Sequence, residues 1–158
     1  MNLNSKRLGV RIPNNSCSRK LIKLCGGYLV GTSANKSEGI GEQPLHWAAL
    51  ENRVEIGKLL IRNGANVNGR GMLSKQPILN RAIMSGNPEF VELLIKNGAN
   101  VNAQNMYGVS VLQSIVIRRK EDPFIEVMEM LLKHPEIKVN EKDGDGVTPL
   151  YWACRKGH

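Results

Sequence analysis

Ten consecutive residues, LLIRNGANVN at 59–68, return as LLIKNGANVN at 93–102. The two stretches differ only at Arg62, which is replaced by Lys96 in the second copy. A long internal period of this kind is typical of stacked repeats, in which each unit buries its apolar face against its neighbours. The period therefore predicts a solenoid, and it favours a function based on a binding surface over one based on a catalytic pocket.

Each copy closes a predicted helix. In the first copy, Ile56, Leu59 and Leu60 follow helical spacing between about residues 54 and 63, which marks the buried side of that helix. Gly64 stands just past its end, where a left-handed residue commonly closes a helix. A shorter apolar helix precedes each of these helices, and a loop follows. The resulting units are 41–71, 72–104, 105–142 and a partial unit at 143–158.

The recurring motif resembles the ankyrin repeat, whose pattern is close to D-x-x-G-x-T-P-L-H-x-A-A-x-x-G-H, then a helix with paired leucines and G-A-x-V-N. The tripeptides PLH at 44–46 and TPL at 148–150, with both GANVN runs, match this pattern. The resemblance covers about residues 41–158 and implies an all-α solenoid of helix-turn-helix units joined by β-hairpin-like loops. Two departures are that Lys75 replaces a hairpin glycine and that residues 119–122 are inserted in the third unit.

The leading segment, residues 1–40, carries most of the net charge of +8. It holds seven basic residues against one acid, Glu38, whereas 41–158 hold fifteen basic and thirteen acidic residues. Its low apolar content predicts a poorly ordered leader. The alternatives are a degenerate capping helix over the first repeat and a mitochondrial transit peptide. Binding of nucleic acid or an acidic membrane through this segment is disfavoured, because its basic residues are scattered without interleaved aromatic residues.

Three cysteines, Cys17, Cys25 and Cys154, have a spacing that predicts neither a disulfide framework nor a zinc site. Unpaired cysteines are typical of reducing compartments, so we expect a cytoplasmic protein, with the nucleus as the alternative. No apolar run approaches the roughly 18 residues that predict a membrane-spanning helix.

The chain contains no motif that predicts catalysis. The resemblance implies that His46 braces the turn between repeats through a hydrogen bond. Cys154 stands where the family has a small alanine, which predicts a buried apolar side chain rather than a nucleophile. The run DGDG at 143–146 lacks the further oxygen ligands of a calcium loop and predicts a turn. We therefore expect no enzyme activity, no metal and no cofactor.

The resemblance places partner binding on the hairpin tips and on the exposed edge of each inner helix. The residues at these positions are Trp47, Leu50, Glu51, Leu73, Gln76, Met84, Met106, Tyr107, Val109, Ile117, Arg118, Asp145, Val147, Trp152 and Arg155. For Trp47 and Trp152 the alternative is packing against neighbouring hairpins. The resemblance also implies that Asn68, Asn102 and Asn140 brace the hairpins.

These features predict a non-catalytic module that binds a protein partner, as a scaffold or adaptor. The last unit stops after its first helix, which predicts that the chain is a fragment of a longer protein. The alternative is a targeting domain of a larger enzyme, such as a ubiquitin-ligase subunit, a kinase or an acyltransferase.

Overall fold

A computed structural model describes residues 35, 43–71, 75–117 and 122–157 of the chain. Within these ranges the helices are α1 (Pro44–Leu50), α2 (Val54–Arg62), α3 (Ile78–Met84), α4 (Pro88–Lys96), α5 (Val111–Ile117), α6 (Asp122–Leu132) and α7 (Pro149–Lys156). The predicted all-α repeat solenoid is confirmed. No helix in the described ranges is long and apolar enough to cross a membrane.

The helices form two layers. Helices α1, α3, α5 and α7 pack successively against one another as an inner layer, and α2, α4 and α6 do the same as an outer layer. Single antiparallel bridges, from Arg70 to Pro77 and from Gln104 to Ser110, close two hairpin loops between the repeats. The leading segment lies outside the described residues except for Asn35, and the predicted boundary at residue 41 stays a prediction.

The core repeats with the helices. Each outer helix buries two apolar side chains four residues apart, which places them on one side of the helix. These pairs are Ile56 and Leu60, Phe90 and Leu94, and Val127 and Leu131. Each inner helix up to α5 likewise buries a leucine, namely Leu45, Leu79 and Leu112. Burying one such side chain stabilises the fold by roughly 1.5–3 kcal/mol, so the stack is held by many equivalent contributions.

The same positions are uncovered on α7. Leu150 is 69% exposed, whereas Leu45, its counterpart on α1, is buried. Cys154 is also exposed, so the prediction of a buried side chain there is wrong. The reason is geometric, because in the other repeats an outer helix and a following repeat cover these positions.

The hairpin tips use left-handed backbone. Gly108 and Gly146 have φ angles of 73° and 77°, and Lys75, which replaces the hairpin glycine in the second repeat, has a φ of 46°. A non-glycine residue in this region carries steric strain of roughly 1–2 kcal/mol. Lys75 therefore takes the left-handed backbone conformation of the glycines at the equivalent position in spite of its side chain.

A glycine in the outer layer makes room for an aromatic ring. Gly57 lies on α2 facing Phe90 of α4, and a methyl group added at Gly57 would lie 2.7 Å from Phe90 Cζ. Phe90 is fully buried, so its ring has no free space to move into. The absence of a side chain at residue 57 is thus matched to the large side chain at residue 90.

Gly57→Ala should destabilise the protein even though alanine is the better helix former. Overpacking a full core costs roughly 1–3 kcal/mol, against a helix-propensity gain of up to about 1 kcal/mol. We expect a net loss of about 1 kcal/mol in the free energy of unfolding, measured by urea denaturation.

The matched test is Gly57→Ala combined with Phe90→Leu, which removes the obstructing ring. The double variant should lose less stability than the sum of the two single losses, because the added methyl then has space. Additive losses would contradict the steric explanation.

Candidate functional site

Asparagine side chains link the loops of successive repeats. Asn68 Nδ2 donates to Gly98 O over 3.0 Å, and Asn68 Oδ1 accepts from Asn100 N over 2.7 Å. One side-chain amide thus pairs with two backbone groups of the next loop. Both backbone groups would otherwise depend on water, so the pairing fixes one loop against the other.

The same arrangement occurs one repeat further along. Asn102 Nδ2 donates to Glu136 O over 2.7 Å, and its Oδ1 accepts from Lys138 N over 2.8 Å. The bracing role that the resemblance implies for Asn68 and Asn102 agrees with these bonds.

Asn35 makes an equivalent pair of bonds ahead of the first described helix. Its Nδ2 donates to Gly64 O over 3.0 Å and its Oδ1 accepts from Asn66 N over 2.6 Å. Asn35 stands 33 positions before Asn68, which is the spacing of one repeat. The sequence does not reveal this position, because the glycine-alanine signature of the other loops is replaced by GTSAN at 31–35.

A second set of links joins the bases of the hairpins. The guanidinium of Arg70 donates to Gln104 O, and Gln104 Nε2 donates to Lys142 O over 3.0 Å. Each side chain reaches the carbonyl of the residue that occupies its own position in the next repeat. The hairpins are therefore tied in series.

The third and fourth hairpins are also fixed internally. Asn105 Oδ1 accepts from the backbone N of Tyr107 and of Val109, over 2.9 and 3.1 Å. Gly144 N donates to Tyr107 O over 2.9 Å, which ties the two tips together. A side chain at Gly108 would strike the backbone of Gly144, so the close approach of the tips requires glycine there.

Large side chains project from this fixed tip. Met106 is 54% exposed and Tyr107 is 65% exposed. Methionine and tyrosine are enriched at the cores of protein interfaces, and here the backbone that carries them is held by hydrogen bonds within the hairpin and to the next tip. Of the predicted partner-binding residues, these two combine the greatest apolar exposure with the firmest support.

The remaining predicted residues fall into groups by exposure. Exposed positions also include Leu50, Asp145 and Arg155. Partly buried positions are Trp47, Glu51, Met84, Val109, Ile117, Val147 and Trp152. Leu73 and Arg118 lie outside the described residues. Trp47 packs against the core cluster.

Gln76 is buried, and its position explains how a hairpin meets its helix. Gln76 Nε2 lies 3.7 Å from Met84 Sδ, at the far end of α3. The base of the second hairpin therefore lies against the end of α3. We call a subset of the predicted partner-binding residues the tip surface, namely Leu50, Met84, Met106, Tyr107, Asp145 and Arg155.

Trp152 is anchored within its own repeat. Its Nε1 donates to Asp143 Oδ2 over 2.9 Å, and the Arg155 guanidinium lies 5.4 Å from the centre of its ring. The indole N–H is thus used inside the repeat, which favours the packing interpretation for this residue. Arg155 over the ring face has the geometry of a cation–π contact.

Asp143 organises the fourth hairpin with both carboxylate oxygens. Oδ1 accepts from Asp145 N and Val147 N over 3.1 and 2.8 Å, while Oδ2 accepts from Trp152. Burial raises the pKa of the Asp143 carboxyl, but the hydrogen bonds from Trp152, Val147 and Asp145 outweigh it, so the pKa lies below its ordinary value. The oxygens of Asp143 are occupied by N–H donors, which agrees with the predicted turn.

The pKa of Asp143 predicts a pH-dependent contribution to stability. Because the pKa is lower in the folded protein than in the unfolded chain, ionised Asp143 favours folding at pH values above about 4. That contribution is lost as the pH falls through the folded-state pKa. Asp143→Asn should therefore lower the free energy of unfolding at pH 7 by about 1 kcal/mol, and by less at pH 3.

The difference in the free energy of unfolding between wild type and Asp143→Asn, measured by urea denaturation at pH 7 and at pH 3, isolates the effect of this residue from that of other acids. Asp145→Asn, which changes an exposed carboxylate two positions away, serves as the control and should produce little effect at either pH. An equal gap for Asp143→Asn at pH 7 and pH 3 would contradict the proposed role of its charge.

Comparison with known proteins identifies the repeats. A family model described as ankyrin repeats (3 copies) matches residues 13–105 and 79–158. The first match starts at residue 13 and so includes Asn35, which makes the first of the asparagine bonds between loops. Ankyrin repeats support a protein-interaction module and are generally non-catalytic.

Similarity to individual proteins is confined to part of much longer chains. Alpha-latrotoxin-Lg1a from Latrodectus geometricus is 38% identical over 126 residues, which cover 80% of this chain and 6% of the toxin. Alpha-latrotoxin-Lt1a from Latrodectus tredecimguttatus is 30% identical over 126 residues, again 80% of this chain and 6% of the toxin. Alpha-latrotoxin-Lh1a from Latrodectus hasselti is 32% identical over 123 residues, with 78% and 6% covered.

Proposed function

This chain belongs to the ankyrin-repeat family, and we propose that it is a non-catalytic module that binds a protein partner through the tip surface. The observation that carries the proposal is the exposed pair Met106 and Tyr107 on a hairpin whose backbone is fixed before any partner arrives. A surface that is already ordered loses less conformational entropy on binding. This favours binding at the third hairpin over binding at the outer helices.

The chemistry of the tip surface suits an apolar anchor with a polar rim. Met106 and Tyr107 provide the apolar area, and Asp145 on the neighbouring tip is exposed beside them. Arg155 adds a positive charge at the end of α7. Exposed charges of both signs around an apolar centre set the register and the association rate more than the affinity. The partner we propose therefore carries an apolar groove with polar edges.

The proposal is tested by capture of partners on the immobilised protein followed by quantitative mass spectrometry. Met106→Ser with Tyr107→Ser should reduce recovery of specific partners at least about 30-fold, because loss of a central anchor costs about 2 kcal/mol or more. The purified partner then allows the same ratio to be measured as a change in Kd.

The matched control changes equally exposed apolar side chains on the outer layer. Ile125→Ser with Leu132→Ser alters two α6 residues that are 51% and 49% exposed, so surface hydrophobicity falls by a similar amount. Partners should be retained by this variant. Equal recovery with both variants would place the binding surface elsewhere.

A second candidate, also a proposal, is that the repeats form a binding section of a longer protein. The chain spans about 6% of the length of the curated relatives it matches, so repeats of this type occur within much larger proteins. The targeting domain of an enzyme is one form of this candidate, and a toxin is another. Sequencing the full transcript on both sides distinguishes them, because an enzyme carries a catalytic domain that an array of further repeats lacks.

We also propose that the binding takes place in the cytosol or the nucleus, on the basis of the odd number of cysteines and their wide spacing in the sequence. Fractionation of cells that express the tagged protein tests this, and recovery from the secreted fraction would contradict it.

A further inference from the structure

One buried polar position recurs in the inner helices. His46 on α1, Asn80 on α3 and Gln113 on α5 occupy equivalent sites, and each is 0–1% exposed. A fully buried polar side chain is expected to form hydrogen bonds, because an unpaired one loses its contacts with water without replacement.

Two of these three side chains reach the next repeat. His46 Nε2 lies 3.3 Å from Gln76 O, and Gln113 Nε2 donates to Val147 O over 2.6 Å. Both acceptors lie just ahead of the following inner helix. These bonds therefore link the first repeat to the second and the third repeat to the fourth.

Gln113 has a further contact within its own repeat. Its Oε1 accepts from Ser110 N over 2.8 Å, and Ser110 Oγ accepts from Gln113 N over 3.2 Å. This reciprocal arrangement is a capping box, which satisfies two backbone donors at the start of a helix. One glutamine thus closes its own helix and holds the next repeat.

Asn80 makes neither contact. Its Nδ2 and its Oδ1 both lack a hydrogen-bond partner, in the part of the chain that the structure describes. Asparagine is one methylene shorter than glutamine, which accounts for the absence of a bond to Val109 O, the equivalent of Val147 O. The oxygen has no donor either, because Pro77 stands where Ser110 stands in the third repeat and proline has no N–H.

The packing around this position gives an independent indication. Of the successive inner-helix pairs in the described ranges, α3 and α5 are in the least extensive contact. We call the junction between the second repeat (72–104) and the third repeat (105–142) the central junction. The missing hydrogen bond of Asn80 and the least extensive contact between inner helices both occur there.

The opposite side of the central junction is held firmly. Asn102 pairs with Glu136 and Lys138 across it, in the loops that follow the outer helices α4 and α6. A junction that is tied along these loops but weak between its inner helices can open on one side only.

From these observations, we propose that the central junction is a hinge built into the solenoid. Opening at α3 and α5 changes the orientation of Met84 relative to Met106 and Tyr107, which lie on either side of it. In a solenoid, each repeat contacts only its neighbours, so one weak junction uncouples the two halves. The hinge would let the tip surface adapt to a partner while each half stays ordered.

Hydrogen–deuterium exchange on the full chain tests the hinge. In the wild type, α3 and α5 should exchange through local opening faster than α2 and α4. Asn80→Gln should slow exchange in α3 and α5 by about tenfold, because the longer side chain reaches Val109 O. Pro77→Ser with Asn80→Gln should slow it further, since this pair recreates the arrangement of Ser110 and Gln113.

The reciprocal change is the matched control. Gln113→Asn shortens the equivalent side chain one repeat along, and it should speed exchange in α5 and α7 while α1 and α2 are unaffected. The proposal is overturned if wild-type α3 and α5 are as protected as α4, or if Asn80→Gln and the double variant both leave their exchange unchanged. The double variant keeps the test valid if Asn80→Gln alone disturbs packing.

Discussion

The structure depends on the pairing of backbone polar groups between repeats by side chains that are long enough to reach them. Ankyrin repeats bring loop next to loop, and every loop exposes carbonyl and amide groups that no helix satisfies. Asn68 and Asn102 satisfy two such groups each with a single amide. Arg70 donates to the carbonyls of Lys75 and Gln104, and Gln104 donates to that of Lys142. Apolar burial holds the helices together without direction, whereas these bonds set the register of one repeat on the next.

Much of the fold was accessible from the sequence because its determinants are local and periodic. The period between the two GANVN runs and the spacing of Ile56 and Leu60 predicted the helices and the side they bury. A fixed spacing between the paired leucines and the loop asparagine would mislead where the loop length changes. Asn140 lies eight residues after Leu132, as Asn102 does after Leu94, yet the core holds Leu131 at 0% exposure and leaves Leu132 at 49%. The third repeat has one extra loop residue, which shifts the alignment by one position.

The candidate site was only partly predictable, because exposure depends on what lies across from a residue. Trp152 and Tyr107 are both aromatic residues at variable positions, and the sequence gives no reason to separate them. Asp143 and Trp152, nine positions apart, are joined by a hydrogen bond that requires the fold of the fourth hairpin. Among the described residues, no acidic side chain binds Tyr107 in the way that Asp143 binds Trp152, and the side chain of Tyr107 remains exposed. Asn35 was missed for a different reason, since its bonds use one amide and do not need the flanking GA residues.

The hydrogen bonds between inner helices depend on two positions of the repeat, the residue before the helix and the buried polar residue within it. The repeat pattern accepts more than one residue type at each of these positions. Pro77 and Ser110 both suit the start of a helix, and Asn80 and Gln113 both carry an amide. Their effects differ because a proline has no N–H and an asparagine is one methylene too short. A solenoid can thus keep its period and its core while losing one link between two repeats. The near-identical LLIxNGANVN segments lie in the invariant scaffold, and the properties that distinguish this chain arise from the positions where its repeats differ.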